Sequence, residues 1–174
     1  MKLYITGPVA SGKSTLARRI AAAAGVPCYH LDDVMYAPDP DAPSGNRKRP
    51  AAEREMLFNA ICNLPAWVVE DTGRTCFFEG MRQADTLVLL QPPPFVRRLR
   101  ILRRWLRQRC GLEACAYRPS LAMLRAMYRW TMDYETGVDD LRTRIAPLHE
   151  KTVLLRTRHE INAYIEKTVP VIKL

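Results

Sequence analysis

Residues 7 to 14 read Gly7-Pro8-Val9-Ala10-Ser11-Gly12-Lys13-Ser14, which is the spacing G-x-x-x-x-G-K-[ST] without substitution. That spacing carries its own chemistry. Glycines let backbone N–H groups turn inward around an anion, the lysine reaches the β- and γ-oxygens of a polyphosphate, and the hydroxyl holds Mg²⁺. Lys13 is therefore assigned to the phosphates and Ser14 to the metal. Gly7, Pro8, Val9, Ala10, Ser11 and Gly12 form the cradle, with Thr15 behind them.

Two acid clusters follow. Cys28-Tyr29-His30-Leu31-Asp32-Asp33 ends an apolar run with two carboxylates. A carboxylate at the end of a strand can orient an acceptor hydroxyl, take its proton, or hold a water on Mg²⁺; it can also cap a following helix. Asp32 and Asp33 are carried as substrate-binding candidates, Asp32 also as base and metal-linked group. His30 points to the opposite face from Leu31 and reads more simply as a core residue than as a functional one. Trp67-Val68-Val69-Glu70-Asp71-Thr72-Gly73-Arg74 places acid, small residue and arginine together. Asp71 could bind through a metal water and Arg74 could clamp an anionic acceptor, while Asp, Thr and Gly also make a simple turn.

A third cluster is the arginine run of residues 97 to 109, RRLRILRRWLRQR, with seven arginines. Leu99, Leu102 and Leu106 recur at helical spacing as a buried stripe, with Arg97, Arg100, Arg104 and Arg107 on another face. Arginine clamps stabilise a transferring phosphoryl group by about 10³–10⁵ in rate. A solvated helix face and a DNA-phosphate stripe are the competing readings. Near the end, Leu154-Leu155-Arg156-Thr157-Arg158-His159 places Arg156 and Thr157 where a nucleotide base would pack, or where Thr157 would cap a helix.

The elements that must hold these groups alternate. Strand candidates are Lys2–Thr6, Cys28–Leu31, Trp67–Glu70, Thr86–Gln91 and Thr152–Arg156. They are short and apolar on both faces, as buried parallel strands are. Helical spacing covers 15–24, 51–63, 94–109, 119–135, 138–150 and 160–167, with Met56, Leu57, Ala60 and Ile61 on one face of the second. This predicts an α/β domain with helices on both faces of the sheet. Residues 37–50 carry four prolines and read as a loop that cannot be a helix or an inner strand.

The 174 residues, 48% apolar, suit one compact domain over 1–174. No apolar run approaches the ~20 residues of a membrane span. The glycine loop starts so near Met1 that no leader is expected before it, and five cysteines without paired spacing predict reduced thiols. The expected compartment is cytoplasmic, the expected state monomer or dimer. The net charge of +9 rests on 21 arginines against six lysines and fits a solvated surface better than a nucleic-acid partner.

Taken together, the GPVASGKSTLARRIA segment, the strand ending His30-Leu31-Asp32, Trp67-Val68-Val69-x-Asp71, the strand at 84–90, the arginine helix after Pro93 and Leu155-Arg156-x-Arg158 resemble the DNA topology modulation protein family, a branch of the adenylate-kinase-like P-loop kinases. The resemblance spans residues 1 to 166. It implies a P-loop NTPase fold with a five-stranded parallel sheet, order 2-3-1-4-5, an acceptor-binding segment over 37–63 and a helical lid over 94–136. It implies ATP and Mg²⁺ as cofactors. By position after Pro93 it singles out Arg100 and Arg104 as lid arginines, Arg100 touching nucleotide as well. Thr72 stands where the family has glycine, and the segment 37–50 is unusual in composition, so the acceptor is left open. The expectation is a kinase acting on a nucleotide, nucleoside or small hydroxyl compound, with Lys13, Asp32, Arg100 and Arg104 catalytic. An ATP-dependent nucleic-acid-binding protein or a slow NTPase is the alternative.

Overall fold

The computed structural model describes residues 1–115 and 117–172. Five parallel strands form the central sheet: β1 (Lys2–Thr6), β2 (Cys28–His30), β5 (Trp67–Glu70), β6 (Thr86–Leu90) and β7 (Thr152–Leu155). Their order is β2-β5-β1-β6-β7, which is 2-3-1-4-5 by rank along the chain, as expected. Strand β1, carrying the glycine loop at its end, is therefore central.

The faces follow the two-residue period of the strands. Tyr4, Trp67, Val69, Leu87 and Leu89 pack on one side beneath α3 (Ala51–Cys62), α4 (Phe78–Gln83) and α7 (Leu141–Ile145). Leu3, Ile5, Val68, Val88 and Leu90 pack on the other, beneath α1 (Lys13–Ala24) and α8 (Arg158–Ile172). Between β2 and α3 lie α2 (Leu31–Met35) and a two-stranded antiparallel ribbon, β3 (Tyr36–Pro38) with β4 (Asn46–Lys48). The proline-rich stretch is thus a hairpin and not a plain loop. Its prolines are placed where an antiparallel ribbon tolerates them, at a strand end and in the turn. Arg118 ties the turn down, its amide donating to Ser44 O and its Nη2 to Pro40 O.

Helices α5 (Pro94–Arg109) and α6 (Leu121–Thr136) run antiparallel, with Arg97 beside Glu135 at one end and Trp105 beside Ser120 at the other. Here the expected faces are exchanged. Leu99, Leu102 and Leu106 are 57%, 39% and 48% exposed, and the buried stripe is Arg97, Ile101 and Trp105. Ile101 and Trp105 join Met127 in a small core that also holds Val9 and Ala10 of the glycine loop. Similarly, in α3 Phe58, Ile61 and Cys62 are buried and Met56 is exposed. The helix expected over 138–150 is shorter: Asp140 takes a left-handed φ of 51° before α7, and a 3₁₀ turn over Ala146–Lys151 begins ahead of Pro147.

The exchange in α5 has a measurable consequence. Ile101→Ala is expected to cost about 2–5 kcal/mol, as truncated core side chains do, whereas Leu99→Ala and Leu102→Ala stay within about 0.5 kcal/mol. Urea unfolding of the three variants distinguishes the two faces, and the reverse ranking would restore the leucine stripe to the core.

Candidate functional site

The glycine loop joins the end of β1 to the start of α1, at the carboxyl edge of the sheet. Gly7 is required sterically. With φ at 142°, a Cβ there would lie 2.3 Å from Leu90 O on β6. Ala10 and Gly12 also take positive φ, 59° and 103°, and this series turns the loop around the helix N-terminus. Successive inward-turned amides at a helix N-terminus favour an anion. The buried Ser11 hydroxyl has no hydrogen-bond partner among the described residues, as fits a loop that would complete its hydrogen bonds with phosphate. Lys13 is buried and donates from Nζ to Pro8 O at 2.9 Å. Burial lowers its pKa, opposed by Glu70, Asp71 and Asp32 and reinforced by Arg74.

The hydroxyl of Ser14 donates to Glu70 Oε1 at 2.9 Å, and His30 Nδ1 meets the same oxygen at 2.9 Å. Glu70 is buried and was not among the expected site residues. Strand parity is the signal that finds it. Val68 packs on the α1 side, so Glu70, two residues on, must share that side, where Ser14 begins the helix; His30 pairs with Glu70 in register and follows Cys28 on the same face. A serine whose proton goes to a carboxylate keeps its lone pairs for a cation. Mg²⁺ characteristically takes one or two protein groups plus phosphates and waters, and Ser14 with Glu70 fits that requirement. Asp32, expected as a metal-linked group alongside Ser14, is held instead by Arg74.

Asp32 and Asp33 fall in the first turn of α2. Asp32 Oδ1 accepts from Arg74 Nη2 at 2.5 Å, and Arg74 Nη1 is also paired with Asp71. Asp71 is fully buried as a side chain and accepts the amides of Gly73 and Arg74 at 2.7 Å and 2.6 Å. It therefore builds the turn and anchors the arginine; its carboxylate is not offered to a ligand. Arg74 is desolvated, yet Asp71 and Asp32 outweigh that and raise its pKa. The array is a chain: buried Asp71 fixes Arg74, and Arg74 fixes the exposed Asp32. Asp33 is exposed and makes no hydrogen bond or ion pair among the described residues.

Arg100 Nη1 lies over the loop, donating to Ser11 O at 3.2 Å and Ala10 O at 3.4 Å. Arg104 is turned away from it, toward Tyr117 Oη and Met127 Sδ, both at 3.4 Å. Of the seven arginines of α5, Arg97 and Arg98 bind Glu135, Arg107 binds Glu113 and Arg109 lies over Trp105. Only Arg103 lacks a partner among the described residues. That leaves little of the stripe that DNA phosphates would need. At the end of β7, Thr157 caps α8: its hydroxyl accepts the Glu160 amide at 3.1 Å, and Glu160 Oε2 accepts the amides of Arg156 and Thr157. This is a capping box. Of the two expectations for Thr157 the helix cap is the one seen, with its hydroxyl and amide both engaged. Arg156 lines a cavity with Gln91 to Pro94.

The His30–Glu70 pair predicts a pH dependence. The hydrogen bond to Glu70 raises the His30 pKa above its ordinary 6.5, against the effect of burial. Burial pushes Glu70 up, but His30, Lys13 and Ser14 outweigh it and hold the carboxyl below its ordinary 4.5. A raised imidazole contributes stability that is complete below 6.5 and is lost as pH climbs through the folded value. A depressed carboxyl contributes above 4.5 and is lost as pH falls through the folded value. Without nucleotide or metal, the wild type should lose stability relative to His30→Gln in the window that opens above about pH 6.5. Parallel urea midpoints in that window would contradict the pairing.

No family model matches the chain, and no curated protein does. No helix among the described residues is long and apolar enough to cross a membrane. Solved structures are similar along nearly the whole length. A sugar kinase from Janibacter sp. HTCC2649 superposes with a TM-score of 0.55 at 13% identity, covering 98% of this chain and 93% of its own. Shikimate kinase from Acinetobacter baumannii, in complex with shikimate, gives 0.54 at 16% identity over 98% and 92%. A gluconokinase from Sinorhizobium meliloti 1021 gives 0.50 at 15% identity over 99% and 91%. At these identities what is shared is the architecture, and the chain has the P-loop kinase fold.

Proposed function

We propose that the protein is an ATP-dependent phosphotransferase that moves the γ-phosphoryl group of Mg·ATP to a hydroxyl of a small metabolite. The observation that carries this is the gathering of two different half-sites at one sheet edge. Lys13, Ser14 and Glu70 suit a metal-bound triphosphate; the fixed Asp32 suits a hydroxyl acceptor. The acids and Arg74 of the second half act electrostatically on Lys13 in the first. A bare switch protein has no use for an oriented, exposed carboxylate beside its phosphate loop.

In this reading the acceptor oxygen bonds to the γ-phosphorus as the bond to the β-bridging oxygen breaks, and the hydroxyl proton passes to the Asp32 carboxylate. Lys13 and Arg100 stabilise the charge on the moving group, and Arg104 joins them if α5 shifts on binding. Ser14 would hold the magnesium, with Glu70 as the carboxylate beside it. Magnesium supplies charge neutralisation of the β- and γ-oxygens when bound. Asp33 and the hairpin of 37–50 border the acceptor. Segment 37–63 acts as the acceptor-binding part and 94–136 as the lid of a single domain; the bonds from Arg118 to the hairpin turn join the two.

The neighbours' names favour a small hydroxyl acceptor over a nucleotide, since they are kinases named for a sugar, gluconate and shikimate. The adenylate-kinase-like motifs and the topology-modulation resemblance supply the lid arginines of this reading, and an action on DNA is not part of it.

The test is ADP release from Mg·ATP across a panel of sugars, sugar acids, cyclic hydroxy acids, nucleosides and nucleoside monophosphates. Acceptor-dependent release is expected with at least one hydroxyl metabolite. Release that is slow and indifferent to every acceptor would replace the kinase by an NTPase.

A further inference from the structure

A cavity of about 440 Å³ opens at the ends of β6 and β7, with no residue of the glycine loop or of the Asp32–Arg74 array in its wall. Its walls are Gln91 to Pro94, Arg97 on α5, Glu135 on α6, Arg142 on α7, and Arg156 after β7. Three guanidinium groups therefore face one carboxylate. That carboxylate is already engaged: Glu135 Oε1 accepts from Arg97 Nη2 and Oε2 from Arg98 Nη2, both at 3.0 Å.

Arg97 is the unusual wall residue. It is only 1% exposed. Its Nε donates to Pro92 O at 3.1 Å and its Nη2 to Glu135, but its buried Nη1 has no hydrogen-bond partner among the described residues. A buried guanidinium with an idle N–H is costly unless something completes it. The Arg142 guanidinium stands 4.8 Å from the Tyr134 ring centroid, with Arg97 at 5.3 Å, so a second cation approaches the first across one aromatic. Neither Arg142 nor Arg156 makes an ion pair among the described residues. Glu160 feels the charge of Arg156, but its Oε2 is engaged by backbone amides. Burial also lowers the Arg97 pKa, and Arg98 and Arg142 add to that. Unbalanced cations of this kind are stabilised by an anion.

We infer that this cavity is a second anion site, for a small organic oxyanion carrying a carboxylate or phosphate group. Planar guanidinium groups match both oxyanions with paired hydrogen bonds. The volume exceeds what inorganic phosphate fills and falls within the range of small-molecule pockets. Pro92, Pro93 and Pro94 offer an apolar wall to the ligand's carbon body. No wall residue is among the groups assigned above to phosphoryl transfer, and the occupant proposed is a molecule other than the triphosphate and the acceptor.

The full chain with Lys13→Ala removes the lysine of the glycine loop, so that anion binding there is suppressed. In that background, calorimetric titration with inorganic phosphate and with succinate, in about 150 mM sodium chloride, is expected to show one site with Kd below about 1 mM for at least one of them. The stronger of the two identifies the ligand's anionic group. Adding Arg142→Ala or Arg156→Ala should weaken that binding about tenfold each. Both residues are exposed, so the variants keep the fold; Arg97 is left in place. No binding below 1 mM, or binding indifferent to both arginines, would overturn the proposal. Adenosine binding in the cavity with neither anion bound would overturn it as well, making it the base end of the nucleotide site. None of these readouts needs phosphoryl transfer, so the kinase reading stands or falls separately.

Discussion

Lys13→Ala is expected to lower acceptor-dependent phosphoryl transfer by about 10³-fold, with the unfolding midpoint close to that of the wild type. The size follows from position. Lys13 is the residue after the glycines, buried at the N-terminus of α1, with its ammonium resting on Pro8 O at 2.9 Å. That bond holds the charge inside the loop, where in the proposed reaction a phosphate oxygen would take the carbonyl's place. Removing a single donor aimed at developing oxyanion charge costs about 10²–10³ in rate, and a full charge at the transferring group belongs at the upper end. The fold should tolerate the change. Burial disfavours the ammonium, while Glu70, Asp71 and Asp32 favour it, so the two effects oppose each other when the side chain is removed. Single-turnover transfer and thermal unfolding, measured on the same preparation, separate the two roles. Transfer within tenfold of wild type would remove Lys13 from the chemistry, and a collapsed midpoint would make it structural.

The sheet was legible because each of its strands is a short apolar run with a chemistry-bearing residue at its end, and parallel strands in this fold carry ligands at that edge. The glycine loop was legible because its requirement is local: positive φ at Gly7 and Gly12, then a lysine and a hydroxyl entering a helix. Long-range pairing was not. In α5 two stripes compete at the same helical spacing, Leu99-Leu102-Leu106 and Arg97-Ile101-Trp105, and apolarity alone selects the leucines. The structure selects the other because Glu135, 38 residues later, receives Arg97, and because Trp105 reaches Ser120 O. A guanidinium with an acidic partner can be buried; the sequence names neither the partner nor the fold of the helix pair. Glu70 and Asp71 are neighbours of the same chemistry, and only their alternation at the end of β5 separates them. One turns to Ser14 and His30, the other to the turn that follows. For Arg156 and Thr157 the structure shows the cap that their sequence also allowed. Their spacing to Glu160 is that of a helix cap, and the local demand for capping was met first.

The second large effect concerns Asp32. Asp32→Asn is expected to lower kcat by about 10²–10⁴-fold while leaving ATP affinity within a factor of about two. The carboxylate is exposed at the start of α2, so a bound hydroxyl can reach it, yet it is not free to wander. Arg74 fixes it, and Arg74 is itself fixed by the buried Asp71 and by the amides that Asp71 accepts. Asparagine keeps the shape and still accepts a hydrogen bond from Arg74, but it cannot take the proton that leaves the acceptor. The nucleotide half, Lys13 with Ser14 and Glu70, is untouched by the change, so triphosphate binding and any acceptor-free hydrolysis should persist. Arg74→Met gives the complementary result. It should reduce kcat by releasing Asp32, and also destabilise the protein, because a buried carboxylate that loses its cation costs about 3–5 kcal/mol. A kcat defect without destabilisation in Asp32→Asn, and with destabilisation in Arg74→Met, is what the chain Asp71–Arg74–Asp32 requires. Wild-type turnover in Asp32→Asn would reduce that chain to an ion-paired turn and place the proton elsewhere.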